Sequence, residues 1–230
     1  ALRQEALGEM HAQTAESYNN LGSLLRALGD YDLARAYLEQ ALSIRKKLLG
    51  ENHPDTATSL NNLGYLLQAQ GDDSAARPYV ERALTIRKEA LGESHPLTAQ
   101  AYSNLGGLLF NLGDYAAARP YLEQALEMNR AILGEHRPAT ARSLNLMGRL
   151  HQALGDLPAG RACFEQALAL NREVLGEKHL SSADSLANLG HLLLQLGDHP
   201  GARDCFEQAR AIYETTLGPA HPGTQKLRAL

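Results

Sequence analysis

Tryptophan is absent from the 230 residues, and only 3 phenylalanines and 2 cysteines occur. Aromatic residues make up 5% of the chain and β-branched residues are sparse while Leu and Ala dominate, which disfavours sheet and favours helix. No apolar run approaches the roughly 20 residues that a membrane span needs, and the opening ALRQEALGEM lacks the charge and apolar core of a signal peptide. Charge of neither sign gathers into blocks, and the net charge of -4 excludes a basic surface for nucleic acid. Cys163 and Cys205 stand 42 residues apart with no second thiol or imidazole at ligand spacing, so they read as one small core position used twice rather than as a metal or redox motif. An all-α protein in a reducing, cytoplasmic setting is expected.

What the chain does have is a repeat. Leu-Gly recurs at Leu7, Leu49, Leu91, Leu133, Leu175 and Leu217 with an unvarying spacing of 42 residues. Full repeats are expected over 8–49, 50–91, 92–133, 134–175 and 176–217, with partial repeats at 1–7 and 218–230, the whole of 1–230 forming one solenoid. Residues 1–7 read as the tail of a helix, so the array is expected to be cut from a longer one or to close it. Each repeat divides at a Gly-Asp pair (Gly29-Asp30, Gly71-Asp72, Gly113-Asp114, Gly155-Asp156, Gly197-Asp198), where Gly ends one helix and Asp caps the next. First helices open near His-Pro steps at His53, His95 and His221, since Pro suits the first helical position. Arg45, Lys46, Lys47, Arg87 and Lys88 near the ends of second helices complement the negative end of the helix dipole.

Within the first helix of repeat 1, Tyr18, Leu21, Leu25 and Leu28 form one apolar stripe and are expected to face the core, with Gly22 admitting a close neighbour. Glu16, Asn19, Asn20, Ser23 and Arg26 occupy the opposite face. Ala34, Leu38 and Ala41 let the second helix pack against the first as an antiparallel hairpin, and hairpins too small to bury a face alone stack into a superhelix.

Tyr18-x2-Leu21-Gly22-x2-Leu25 followed by Ala34, Leu38 and Ala41 resembles the tetratricopeptide repeat over the whole chain. The 42-residue period, the long second helix and the LGExHPxTAxxxNNLG junction resemble the kinesin light chain subtype, which also occurs widely in bacterial sensor and scaffold proteins, and a bacterial source is expected. The resemblance implies a right-handed superhelical solenoid of antiparallel helix pairs. Tyr18, Leu60, Tyr102, Leu144 and Leu186 replace the family's Trp, so cargo preference does not carry over from kinesin light chains.

Candidate binding residues follow from the polar face. Asn20, Asn62, Asn104 and Asn188 precede Leu-Gly in their repeats, and by the resemblance that position faces the groove, flanked by Asn19, Asn61 and Tyr65. Amides donate and accept, so such a column can satisfy the backbone of an extended peptide, and Ala at Asn62 or Asn104 is then expected to weaken a partner with little effect on stability. The structural alternative has the same amides bonding to the next helix and stiffening the stack. Arg45 and Arg87, matched by Asn129 and Asn171 in later repeats, sit on an otherwise apolar side and are expected to reach the groove floor. In repeat 4, Leu146 interrupts the column between Arg142 and Arg149, a combination suited to carboxylates on either side of an apolar anchor, unless Asp184 neutralises Arg142. The recurrent Arg35-to-Glu39 type of pair is expected to be structural. The histidines at repeat junctions form a single row that cannot surround an ion, so no metal, and likewise no cofactor, is expected.

No phosphate loop, metalloprotease motif, nucleophile elbow or clustered carboxylate pair occurs, which argues against an enzyme. The expected function is a non-catalytic scaffold that holds an extended protein or peptide segment, acidic near repeat 4, with no nucleic acid or membrane partner. The alternative is a structural or sensor array that packs against its own chain or a second copy and regulates an attached nucleotide-binding or effector domain.

Overall fold

The computed structural model describes residues 8, 10–219 and 224–225. Leu7, His221 and Pro222 lie outside the described residues. Ten helices form among those described: α1 (Ala12–Leu28), α2 (Tyr31–Leu49), α3 (Pro54–Ala69), α4 (Asp73–Leu91), α5 (Pro96–Asn111), α6 (Tyr115–Leu133), α7 (Pro138–Ala153), α8 (Leu157–Leu175), α9 (Leu180–Gln195) and α10 (His199–Leu217). The chain divides into two compact units, Ala1–Asp114 and Tyr115–Leu230. In unit 1, α1 pairs with α2 and α3 with α4, while α2 packs on α3 and α4 on α5. In unit 2, α7 pairs with α8 and α9 with α10, while α6 packs on α7 and α8 on α9.

The turns between paired helices are built by the Gly-Asp pairs. Gly29 adopts φ 83°, a left-handed conformation that a Cβ would strain, and this returns the Asp30 N–H to the Leu25 carbonyl at 3.0 Å. Asp30, Asp72, Asp156 and Asp198 then accept from the backbone N–H three residues on, capping α2, α4, α8 and α10. The junction histidines have the same task. His11, His53, His95 and His179 accept a backbone N–H at Nδ1 two residues on, at 3.1 to 3.2 Å. Arg137 stands at this position before α7 and supplies no side-chain cap.

A second latch at each junction was not anticipated from the pattern, although the residue recurs as regularly as the Gly. Thr14, Thr56, Thr98, Thr140, Ser182 and Thr224 are buried and donate their hydroxyls to the carbonyls of Gly8, Gly50, Gly92, Gly134, Gly176 and Gly218 at 2.8 to 3.0 Å. The carbonyl of the glycine that follows each second helix is thereby satisfied by the first turn of the helix that comes next.

Packing inside each hairpin depends on the Gly of Leu-Gly. A Cβ on Gly22 would stand 2.7 Å from Leu38 Cγ, and one on Gly64 would stand 2.8 Å from Val80 Cγ2. Helix α3 buries Leu60, Leu63, Leu66 and Leu67 between α2 and α4, the pattern of an interior layer. The expectation for α1 is corrected here. Leu21 and Leu28 are exposed at 37% and 73%, whereas Asn19, from the face read as polar, is buried. Leu63, Leu105, Met147 and Leu189 share the register of Leu21 and are buried, because another helix covers them. No described helix precedes α1, and Leu28 sits in the last turn, where Leu154 and Leu196 are exposed too.

Candidate functional site

In unit 2, α7 presents Arg142, Asn145, Leu146 and Arg149 at spacings of 3, 1 and 3, which a helix gathers on one face. Helix α9 faces it with Asp184, Ala187 and Asn188. Together with Pro138, Ala139, Ser181 and Asn171 of α8, they enclose a cleft of about 610 Å³. Asn171 belongs to its floor, donating to the Ser181 carbonyl and the Ser185 hydroxyl, each at 3.0 Å. Asn145 donates to Ser185 Oγ at 2.8 Å and accepts from Asn188 at 3.5 Å. Asn145 and Ser185 were not singled out from the sequence, although Asn145 shares the register of Asn19 and Asn61.

The cleft has a defined electrostatic shape. Arg142 is exposed, while Leu146 and Arg149 are half-buried. Burial lowers the Arg149 guanidinium from its usual pKa. No ion pair joins Arg142 to Asp184 among the described residues. Asp184 instead accepts a hydrogen bond from the Tyr213 hydroxyl, and burial together with that bond pushes the phenol pKa up. The cleft thus offers guanidiniums on either side of an apolar side chain, with amides on the facing wall.

In unit 1, the Asn column is engaged in the stack itself. Asn62 donates to Asn19 at 3.0 Å, Asn104 donates to Asn61 at 2.7 Å, and the Tyr65 hydroxyl donates to Asn104 at 2.7 Å. Asn19 and Asn61 are buried, Asn62, Asn104 and Tyr65 are half-buried, and Asn20 is exposed. The Arg26 guanidinium lies 5.9 Å from the Tyr65 ring centroid. Arg45 and Arg87 are buried rather than presented to solvent, because their position on the second helix meets the first turn of the next one. Arg45 donates to the Asp55 carbonyl at 3.0 Å and to Ser59 Oγ at 2.8 Å. Asn129 makes the equivalent contacts in unit 2, to the Ala139 carbonyl and Ser143.

The amide ladder changes the expected effect of truncation. Asn104→Ala removes two bonds and strands the buried Asn61 acceptor and the Tyr65 hydroxyl, a loss of about 1–3 kcal/mol. Urea unfolding followed by circular dichroism reads it, and a midpoint equal to wild type would show that the ladder contributes nothing.

The helical hairpins agree with the comparisons. The tetratricopeptide repeat family is matched over residues 1–47, 13–89, 75–131, 97–159 and 146–215. This chain belongs to the tetratricopeptide repeat family. Among solved structures, BtubC (BKLC) from P. vanneervenii is similar at 25% identity and a TM-score of 0.74, covering 92% of this chain and 84% of that one. A kinesin light chain candidate of Podosopora anserina with nearly identical TPR-like repeats is similar at 26% identity and a TM-score of 0.69, covering 90% of this chain and 98% of that one. A Rap protein complexed with competence and sporulation factor shares the fold at 17% identity and a TM-score of 0.72, covering 91% of this chain and 61% of that one. Among curated proteins, none matches. Tetratricopeptide repeats are in general scaffolds without catalysis, and the kinesin light chain-like subtype is the one that the first two of these structures represent. Among the described residues no helix is long and apolar enough to cross a membrane.

Proposed function

We propose that this tetratricopeptide repeat chain is a non-catalytic cytoplasmic scaffold that holds an extended polypeptide segment in the unit 2 cleft, with an apolar side chain against Leu146 and carboxylates at Arg142 and Arg149. The observation that carries this reading is the cleft itself, in which α7, α8 and α9 converge two guanidiniums, an apolar side chain and amides on one space of about 610 Å³. That volume accommodates a few side chains of a peptide. The Rap protein of like fold is complexed with competence and sporulation factor, in keeping with a repeat that receives a ligand. Asn145, Asn171 and Asn188 hold one another and the serines of α9 in place, so the walls are set before a ligand arrives.

Leu146 separates this reading from mere charge attraction. With a peptide of the form Glu-x-x-Leu-x-x-Glu as probe, Leu146→Asn restores the amide of the other repeats and removes the apolar contact. Affinity is expected to fall roughly tenfold in a fluorescence anisotropy titration, the effect of exposing one Leu-sized surface. The same titration with Ala at the central Leu of the peptide should show an equal loss on wild type and none on the variant. Equal losses on both proteins would remove Leu146 from the site.

A further inference from the structure

Arg87 on α4 is 2% exposed, yet among the described residues no carboxylate pairs with its guanidinium. It donates to the Leu97 carbonyl at 3.1 Å, and to Gln100 and Thr58 at 3.4 Å each, while its Nε has no hydrogen-bond partner. A buried charge held by two contacts at the weak end of the range and one orphaned N–H is costly. Burial accordingly pulls its pKa down, with Tyr65 opposing.

The same position one repeat earlier shows what is missing. Arg45 is also buried, and burial lowers its pKa too, but the nearby Asp55 and Glu16 carboxylates offset part of the cost. In the register of Arg87, Leu97 replaces Asp55 and Thr58 replaces Glu16, so both carboxylates are gone while the Arg stays. The later repeats resolve the position differently, with Asn129 and Asn171, which need no counter-charge. Asn171 lines the open cleft of unit 2, where Arg142 and Asp184 share the registers of Thr58 and Gln100. Helix α5 adds a second buried polar group without a partner, the hydroxyl of Ser103, in the register of the cleft residue Ala187.

We propose that unit 1 holds a carboxylate-binding site whose cation is Arg87, the ligand's carboxylate entering between Thr58 on α3 and Gln100 on α5 and standing in for the Asp55 and Glu16 that serve Arg45. The carboxylate takes the edge formed by Nε and Nη2, so the 3.4 Å contact to Thr58 gives way to a charge-assisted bond of about 2.7–2.9 Å and the orphaned Nε gains an acceptor, while Nη1 stays on the Leu97 carbonyl and Gln100. The site is separate from the unit 2 cleft and does not rest on that reading.

The test uses the full chain carrying Arg142→Gln and Arg149→Gln, so that the unit 2 cleft does not contribute. A fluorescein-labelled hexaglutamate peptide is titrated against it, with hexaglutamine as the uncharged control and succinate as a free carboxylate competitor. Hexaglutamate is expected to bind and hexaglutamine not. Arg87→Asn should weaken hexaglutamate about tenfold or more, and folding is retained because Asn serves in the same register at Asn129 and Asn171. Leu97→Asp supplies the missing carboxylate from the chain itself, so it should block the peptide while raising the melting midpoint. Displacement by succinate would show that a free carboxylate suffices, and its failure to compete would assign the site to peptide carboxylates. No hexaglutamate binding in this background, or binding that Arg87→Asn and Leu97→Asp leave unchanged, overturns the proposal.

Discussion

Replacing Phe164 with alanine is expected to cost about 3–5 kcal/mol of unfolding free energy, the scale for emptying a buried aromatic position. Phe164 is fully buried on α8 and belongs to a cluster that includes Leu168 on its own helix and Ala183, Leu186 and Leu192 on α9. Its other side meets α7 so closely that a Cβ on Gly148 would stand 2.5 Å from Phe164 Cε1. The ring therefore joins the two helices of one hairpin and ties that hairpin to the next. Urea unfolding of wild type and variant measures the loss, and a shift worth less than about 1 kcal/mol would mean that the ring is not the centre of this packing. The reciprocal change supplies an internal check. Gly148→Ala should cost about 1–3 kcal/mol through overpacking, partly offset by the better helix propensity of Ala. Phe164→Leu should relieve much of it, since a flexible Leu can move where a ring edge cannot.

The Gly-Phe contact shows which features of the fold could be read from the chain. The 42-residue Leu-Gly period, the Gly-Asp turns and the His-Pro steps are local rules, each requiring one residue type at one backbone conformation, and they repeat often enough to be unmistakable. Helix pairs and their caps follow from them directly. What escaped was anything decided by the neighbouring repeat. The polar face of α1 was read as open, yet Asn19 is buried because α3 brings Asn62 to it. Arg45 and Arg87 were read as reaching the groove floor, but their burial and their bonds to the first turn of the following helix come from the neighbouring repeat and not from their own. A long polar side chain has the same pattern in a sequence whether it points to solvent or spans a junction. The candidate site was legible to a similar extent. Arg142, Leu146 and Arg149 share a helix face by spacing alone, and Asp184, Asn188 and Asn171 could be named from their registers, but the bonds through Asn145 and Ser185 that join the walls emerge only when α7, α8 and α9 are brought together.

That facing wall also decides what charge the cleft presents, and so sets the size of the last effect. Had Asp184 paired with Arg142, the two charges would have cancelled and left a solvated pair worth little to a ligand. Asp184 is instead engaged by the Tyr213 hydroxyl, and Arg142 and Arg149 both line the cleft with Leu146. Arg149 is half-buried, so a carboxylate reaching it is partly withdrawn from water, where a paired contact is stronger than on an open surface. Arg149→Glu removes that contact and sets like charges together. Binding of Glu-x-x-Leu-x-x-Glu is therefore expected to fall by roughly 100-fold or more, the loss of one charge-assisted contact plus repulsion. Arg142→Glu, at an exposed position, should cost less, and raising the salt from about 0.05 to 0.5 M should weaken wild type more than the Arg149 variant as the charges are screened. Anisotropy titrations at both salt concentrations measure all of these. An affinity unchanged by Arg149→Glu would mean that the acidic ligand is recognised elsewhere, and the hexaglutamate titration through Arg87 then identifies whether unit 1 is that place.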